Sequence, residues 1–187
     1  MKKNEYIKTL IVCALMVALS VVLKRFLEIQ VPLFGVKAQS INFSYVAIMF
    51  SGLLYGPIWG GLVGVCSDLI CCALLPQGAI IIGITATNFV VGALAGGFAW
   101  LFRENRKKII PVAGLCLSVS VISSLSNSLW IWLAYSGLTA KYTYLAYALP
   151  RLAFSLCLMF PVNTVLLVLI MQKVVPVLER EKLIRAR

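Results

Sequence analysis

Asp68, Lys24, Arg25 and Arg151 carry the most chemical consequence in this 187-residue chain, because each lies within or at the edge of a long apolar run. A charge at mid-bilayer costs about 2.5–3.5 kcal/mol on insertion scales, so such residues face the protein interior or the interface. Lys24 and Arg25 close the first run, where long side chains reach back to headgroups. Arg151 lies about two helical turns inside the last run, too deep for that reach. Asp68 lies inside the third. If Asp68 pairs with one cation, its half of the molecule keeps surplus positive charge, which suits an anionic ligand. Arginine also presents a planar fork matched to carboxylates. The structural alternatives are an ion pair or hydrogen bond between helices for Asp68 and headgroup contact for Lys24 and Arg25.

A second set is polar but uncharged. Ser120, Ser123, Ser124 and Asn127 follow i, i+3, i+4, i+7 spacing and share one helix face. Trp130 continues near that face. Asn88 lies in the preceding run, and Gln77 and Gly78 lie in the loop before it. Amides and hydroxyls on facing helices can read the donors and acceptors of a heterocycle, and an aromatic ring can stack on it. The same residue types also hold membrane helices together, and Tyr or Trp near run ends reads as an interfacial belt.

Other chemistries lack their parts. The chain has no histidine, and its six cysteines (Cys13, Cys66, Cys71, Cys72, Cys116 and Cys157) sit in apolar runs without a Cys-x-x-Cys pair. Zinc binding and histidine-assisted nucleophilic catalysis are therefore not expected. There is no phosphate-cradling Gly-Lys-Ser/Thr motif. Asp68 stands without a carboxylate partner, which argues against a proton relay. We expect no metal, no cofactor and no catalysis by this chain.

The elements that must hold these residues are membrane helices. The chain is 61% hydrophobic and 12% charged, with a mean hydropathy of +0.99. Soluble domains carry about 45–50% apolar and about 25% charged residues. At roughly 20 apolar residues per span, there is room for about six. The predicted fold is an all-α, six-helix transmembrane bundle forming a single domain over residues 1–187, with helices near 7–27, 43–56, 57–75, 79–102, 109–135 and 144–171. The run from Phe43 to Leu75 would be about 50 Å long as one helix, against a hydrocarbon core of about 30 Å, so it is divided at Gly56-Pro57.

The net charge of +11 collects at segment ends. Lys2, Lys3 and Lys8, the Arg103–Lys108 cluster and the basic tail after Lys173 share one side if there are six spans. The positive-inside rule then puts both termini in the cytoplasm. This patterning lacks the basic–aromatic interleaving of strand-binding proteins, so nucleic acid is not an expected partner. The first run lacks a small-residue cleavage site and is read as a retained helix. Gly52, Gly56, Gly60 and Gly64, then Gly92 and Gly96, recur at helical spacing and read chiefly as close internal packing.

Several stretches resemble a known family. Leu53-Leu54-Tyr55-Gly56-Pro57-Ile58-Trp59-Gly60-Gly61 with Asp68, Pro76-Gln77-Gly78-Ala79 with Gly83 and Thr85, and Asn127 with Trp130, Arg151 and Pro161 are similar to the substrate-binding (S) components of energy-coupling factor (ECF) vitamin transporters, closest to the folate-specific branch. Ala14-x-x-x-Ala18 resembles the helix-one motif by which S components dock on the transmembrane coupling subunit. The resemblance implies six helices, capture of a vitamin from outside, and energy from two ATPase subunits on other chains. It implies folate as ligand, with pantothenate, biotin or another anionic vitamin as the alternative. The expected ligand-binding residues are Lys24, Arg25, Gln77, Gly78, Asn88, Asn127, Trp130 and Arg151; Ala14 and Ala18 are the expected docking residues.

Overall fold

The structure is a computed structural model that describes residues 3–26, 29–33, 36–41, 43–74, 81–102, 109–134 and 144–180. Helix α1 runs Lys3–Phe26, and a two-stranded antiparallel hairpin follows, β1 Ile29–Leu33 and β2 Val36–Ile41. Then come α2 Ser44–Tyr55, α3 Pro57–Leu74, α4 Ile82–Leu101 and α5 Ile109–Ala134. The last stretch is helical throughout: α6 Tyr144–Phe154, a π turn Ser155–Met159, and α7 Phe160–Arg180. The architecture is thus nearly all helical. The hairpin falls where the sequence predicts a loop, from Glu28 to Asn42. Its sequence alternates apolar and other residues (Ile29, Val31, Leu33; Val36, Ala38), which is strand periodicity on a segment too short for the pattern to stand out. The register shifts between Val31 and Pro32, where proline has no N–H to give to the ladder.

Polarity is arranged for a lipid solvent. Leu10, Leu15, Ile58, Leu62, Ile110 and Val165 are exposed, while Ser51, Asp68, Thr87, Ser128 and Arg151 are buried. Among the described residues, five helical stretches are long and apolar enough to cross a membrane: Tyr6–Phe26, Pro57–Leu74, Ile82–Leu101, Ile109–Ala134 and Tyr144–Val177. The sixth helix, α2, has 12 residues. At about 18 Å it is shorter than a hydrocarbon core of roughly 30 Å. Every residue from Ser44 to Leu53 is buried, so α2 is a central post wrapped by its neighbours. Ile48 and Met49 of α2 pack with Val63, Val91, Leu115, Leu167 and Met171 in one apolar core.

The chain breaks at Gly56, whose φ of +99° disfavours a side chain, and Pro57 opens α3. Glycine then lets three backbones touch. A Cβ at Gly60 would stand 2.5 Å from the Cα of Gly52 and 2.5 Å from the carbonyl oxygen of Gly92. The π turn in the last stretch has a local cause. Pro161 cannot donate to the carbonyl four residues back, and the Phe160 N–H bonds to Ser155 instead, five residues back. The helix then continues to Arg180, beyond the end expected at Met171.

Candidate ligand-binding site

The short central helix sets the geometry of the site. Both α2 and α3 start from the Gly56 turn. Tyr45 stands about 16 Å from it and Asp68 about 18 Å, so the two lie at one level. Helix α3, 18 residues and about 27 Å long, continues past that level. The N-terminal end of α2 therefore lies at the level of Asp68, below the end of α3, and forms the floor of the candidate site.

Charged and polar side chains gather at this level. Asp68, 3% exposed, accepts from Lys24 Nζ at 3.0 Å on Oδ1 and from Thr85 Oγ1 at 2.7 Å on Oδ2. One carboxylate thus ties α1, α3 and α4. Across the floor, Asn127 Nδ2 donates to the Tyr45 hydroxyl at 3.0 Å, joining α5 to α2. Tyr45 is within electrostatic reach of both Lys24 and Arg151. Arg151, 4% exposed, donates from Nη1 to the Tyr147 hydroxyl at 2.7 Å. Its guanidinium also lies 5.1 Å from the centre of that ring, within cation–π range.

A second seam joins α4 to α5. Thr87 Oγ1 donates to the Gly83 carbonyl at 3.0 Å and lies 2.7 Å from Ser126 Oγ. The threonine proton is used on the carbonyl, so the serine donates to the threonine. Above them the Trp130 indole covers Gly83 so closely that a Cβ there would overlap the ring. The serine stripe is buried at Ser120, Ser123 and Ser124, and the Ser120 carbonyl accepts from Ser155 Oγ at 3.4 Å beside the π turn. Among the described residues, Asn127 Oδ1 is buried with no hydrogen-bond partner, as is Ser124 Oγ.

The expected site residues divide by placement. Lys24, Asn127 and Arg151 are connected through Asp68 and Tyr45, while Trp130 packs on Gly83 of α4. Asn88 is buried on α4, with its backbone carbonyl against Gly64, so it is set between α3 and α4. Arg25 stands apart, because one residue along α1 from the inward Lys24 is about 100° round the helix. Gln77 and Gly78 lie outside the described residues. Ala14 and Ala18 lie on a face of α1 shared with the exposed Leu10 and Ile11. Sequence reasoning passed over Tyr45 and Tyr147, and it read Thr85 only as part of the family-like stretch and not as a site residue. The two tyrosines, near helix ends, read as interfacial belt residues, and the signal against that was their i, i+4 and through-bundle relation to charged positions.

The sequence matches the family of ECF transporter substrate-specific components over residues 8–174. The chain belongs to that family. It is a multi-pass membrane protein and a transporter component. Among relatives of this substrate-specific component, the folate transporter FolT of Clostridium novyi is 29% identical over 162 residues, covering 86% of each chain. The folate transporter FolT of Leuconostoc mesenteroides is 26% identical over 155 residues, covering 82% of this chain and 78% of its own. In fold, the substrate-specific component is similar to the crystal structure of FolT bound with folic acid, with a TM-score of 0.70 at 21% identity over 88% of this chain and 92% of that one. It is also similar to ThiT from Listeria monocytogenes, with a TM-score of 0.65 at 13% identity over 90% and 96%.

Proposed function

We propose that this substrate-specific component binds folate at the floor formed by α2 and delivers it to partner subunits for import. The observation that carries the reading is the buried Arg151, held by Tyr147 and within electrostatic reach of Tyr45, the hydrogen-bond partner of Asn127. Folate combines a flat pterin, rich in donors and acceptors, with a glutamate tail bearing two carboxylates. A buried, oriented guanidinium suits the tail. Asn127, Trp130, Asn88 and the loop at Gln77-Gly78 are assigned to the ring. Lys24 has a smaller share in offsetting the tail, since Asp68 already compensates its charge. Arg25, turned away from the floor, contributes through long-range attraction or headgroup contact. The two relatives named folate transporters, aligned over most of their lengths, support this choice over pantothenate or biotin.

The topology assigned to the protein has both termini and the Arg103–Lys108 cluster in the cytoplasm, with the floor opening outward. The chain carries no phosphate-cradling motif, so ATP hydrolysis is assigned to two ATPase subunits on other chains, reached through a transmembrane coupling subunit that docks on Ala14 and Ala18. The deciding experiment is calorimetry on purified protein with folate and with pteroic acid, which lacks the glutamate. A hydrogen bond to a charged group contributes roughly 1.5–3 kcal/mol, and about 1.4 kcal/mol is tenfold in affinity. Arg151→Ala is expected to weaken folate on the order of tenfold to a hundredfold and pteroic acid less. Equal losses would move Arg151 to the ring or the scaffold. Absence of folate binding by the unaltered protein would refute the assignment.

A further inference from the structure

Asp68 is a buried carboxylate that the folate reading leaves without a ligand role. A buried ion pair is weak evidence for stability, because desolvating the two charges offsets much of their attraction. Its local geometry points beyond a tie between helices. Lys24 occupies one oxygen and Thr85 the other, so each oxygen keeps a further lone-pair direction. The two contacts come from different helices and hold the carboxylate in place. The Lys24 side chain is 23% exposed while Asp68 is 3% exposed, so the more accessible partner is the flexible one.

The far side of the floor repeats the same demand. Asn127 uses its amide nitrogen on Tyr45, and its buried Oδ1 has no partner among the described residues. Tyr45 bridges the two sides, bonded to Asn127 and within electrostatic reach of Lys24. Asp68 and Asn127 thus each offer a spare acceptor to a ligand bound at the level of Tyr45. Such a ligand must bring N–H donors, and a carboxylate is the natural partner for two parallel N–H groups.

We propose that Asp68 reads the aminopyrimidinone edge of the ligand, taking the 2-amino group and the adjacent ring N–H, with Thr85 and Lys24 positioning the carboxylate. The inference rests on the folate reading and deepens it. The charged groups then have separate roles. Arg151 meets the anionic tail, and Asp68 meets the donor edge of the ring. Lys24 is the partner of Asp68 when no ligand is bound. The site thereby selects for a 2-amino heterocycle as well as for a negative tail.

The test uses the full chain in lipid nanodiscs with two ligands: folate, and a folate analogue whose 2-amino group is replaced by methyl. The unaltered protein is expected to prefer folate. Asp68→Asn keeps the shape but turns one acceptor into a donor. It is expected to weaken folate on the order of tenfold to a hundredfold and to leave the analogue within about threefold, so the preference collapses. The double variant Lys24→Gln with Asp68→Asn restores an uncharged hydrogen-bonded pair between α1 and α3. It is expected to keep the thermal stability of the unaltered protein yet still lack the preference. Recovery of folate affinity and preference in the double variant would make Asp68 a structural tie and overturn the inference. Equal losses for the two ligands in Asp68→Asn would do the same. No folate binding by the unaltered protein would overturn the folate reading and this inference with it, whereas folate binding with proportionate losses would overturn the inference alone.

Discussion

Near the Gly56 turn, helices α2, α3 and α4 approach one another through glycine, whereas α5 adds hydroxyl and amide hydrogen bonds to α2 and α4. On the first side Gly52, Gly60 and Gly92 bring backbones into contact, and nothing between them can rearrange. On the second, Asn127–Tyr45 and Thr87–Ser126 are hydrogen bonds between helices made by side chains with rotatable bonds, and Arg151 is held by Tyr147 of its own helix. A dry glycine contact fixes distance. A polar seam can exchange its partners for those of a ligand; among the described residues, Asn127 Oδ1 and Ser124 Oγ are buried and unpartnered on this side, as the Tyr55 hydroxyl is on α2. Membrane proteins gain little from burying apolar side chains against each other, so close packing and hydrogen bonds must supply both rigidity and recognition. Here rigidity falls to the glycine contacts and recognition to the polar seams, which include Asp68 and Thr85 farther along α3 and α4.

The largest expected effect attacks the rigid side. Gly60→Leu drives a side chain into the backbones of α2 and α4. Overpacking costs about 1–3 kcal/mol and occasionally more, and with no flexible neighbour to yield, the upper end is expected. Size-exclusion chromatography in mild detergent should show aggregate in place of a monodisperse peak. A well-behaved Gly60→Leu protein with an unchanged melting temperature would dissolve the distinction between the two sides.

Tyr45→Phe comes next, because it removes the acceptor for Asn127 and leaves a part-buried amide N–H without that partner. An orphaned buried donor costs about 1–3 kcal/mol. Folate affinity measured by calorimetry is expected to fall roughly tenfold, with the protein still folded. Unchanged affinity would remove Tyr45 from the floor of the site. Ala18→Trp acts on neither side, since the residue faces outward on α1. Its folate affinity should stay within about twofold of the unaltered protein, while uptake by vesicles containing the coupling subunit and ATPases should be lost. Uptake that survives would remove this face as the docking surface. The smallest effect is expected for Arg25→Ala, within about twofold at physiological salt, because charges turned to solvent are screened over roughly 8 Å. A tenfold loss there would bring Arg25 into the site.

Several of these features were legible in the sequence for physical reasons. The break at Gly56 followed from length: an unbroken helix would overrun the bilayer, and Gly-Pro is where a helix gives way. The stripe Ser120, Ser123, Ser124 and Asn127 followed from helical period. The separation of Lys24 from Arg25 did not, because adjacent residues at a helix end look alike until the rotation of the helix is known. Rotation also decides why Asp68 pairs with Lys24. Tyr45 was hidden for a different reason. Its position at a helix end marks it as an interfacial residue only if that helix reaches the interface, and α2 stops short. The hairpin Ile29–Leu33 with Val36–Ile41 was hidden because five- and six-residue strands carry too few alternations to outweigh a loop composition.

The length of α2 also bears on biogenesis. A segment of 12 residues is too short to partition into lipid alone, and its buried Ser44 and Ser51 lower its affinity for the bilayer further. It must enter together with α3, as a helical hairpin folded at Gly56-Pro57, and it reaches its final surroundings only when α4, α5 and α7 close around it. Translocation of α2 in a reporter fusion should therefore fail to stop at α2 alone and succeed when α3 is appended. The ligand floor is then among the last parts of the molecule to be assembled, so a nascent chain has no means of trapping the vitamin before its outer helices are in place.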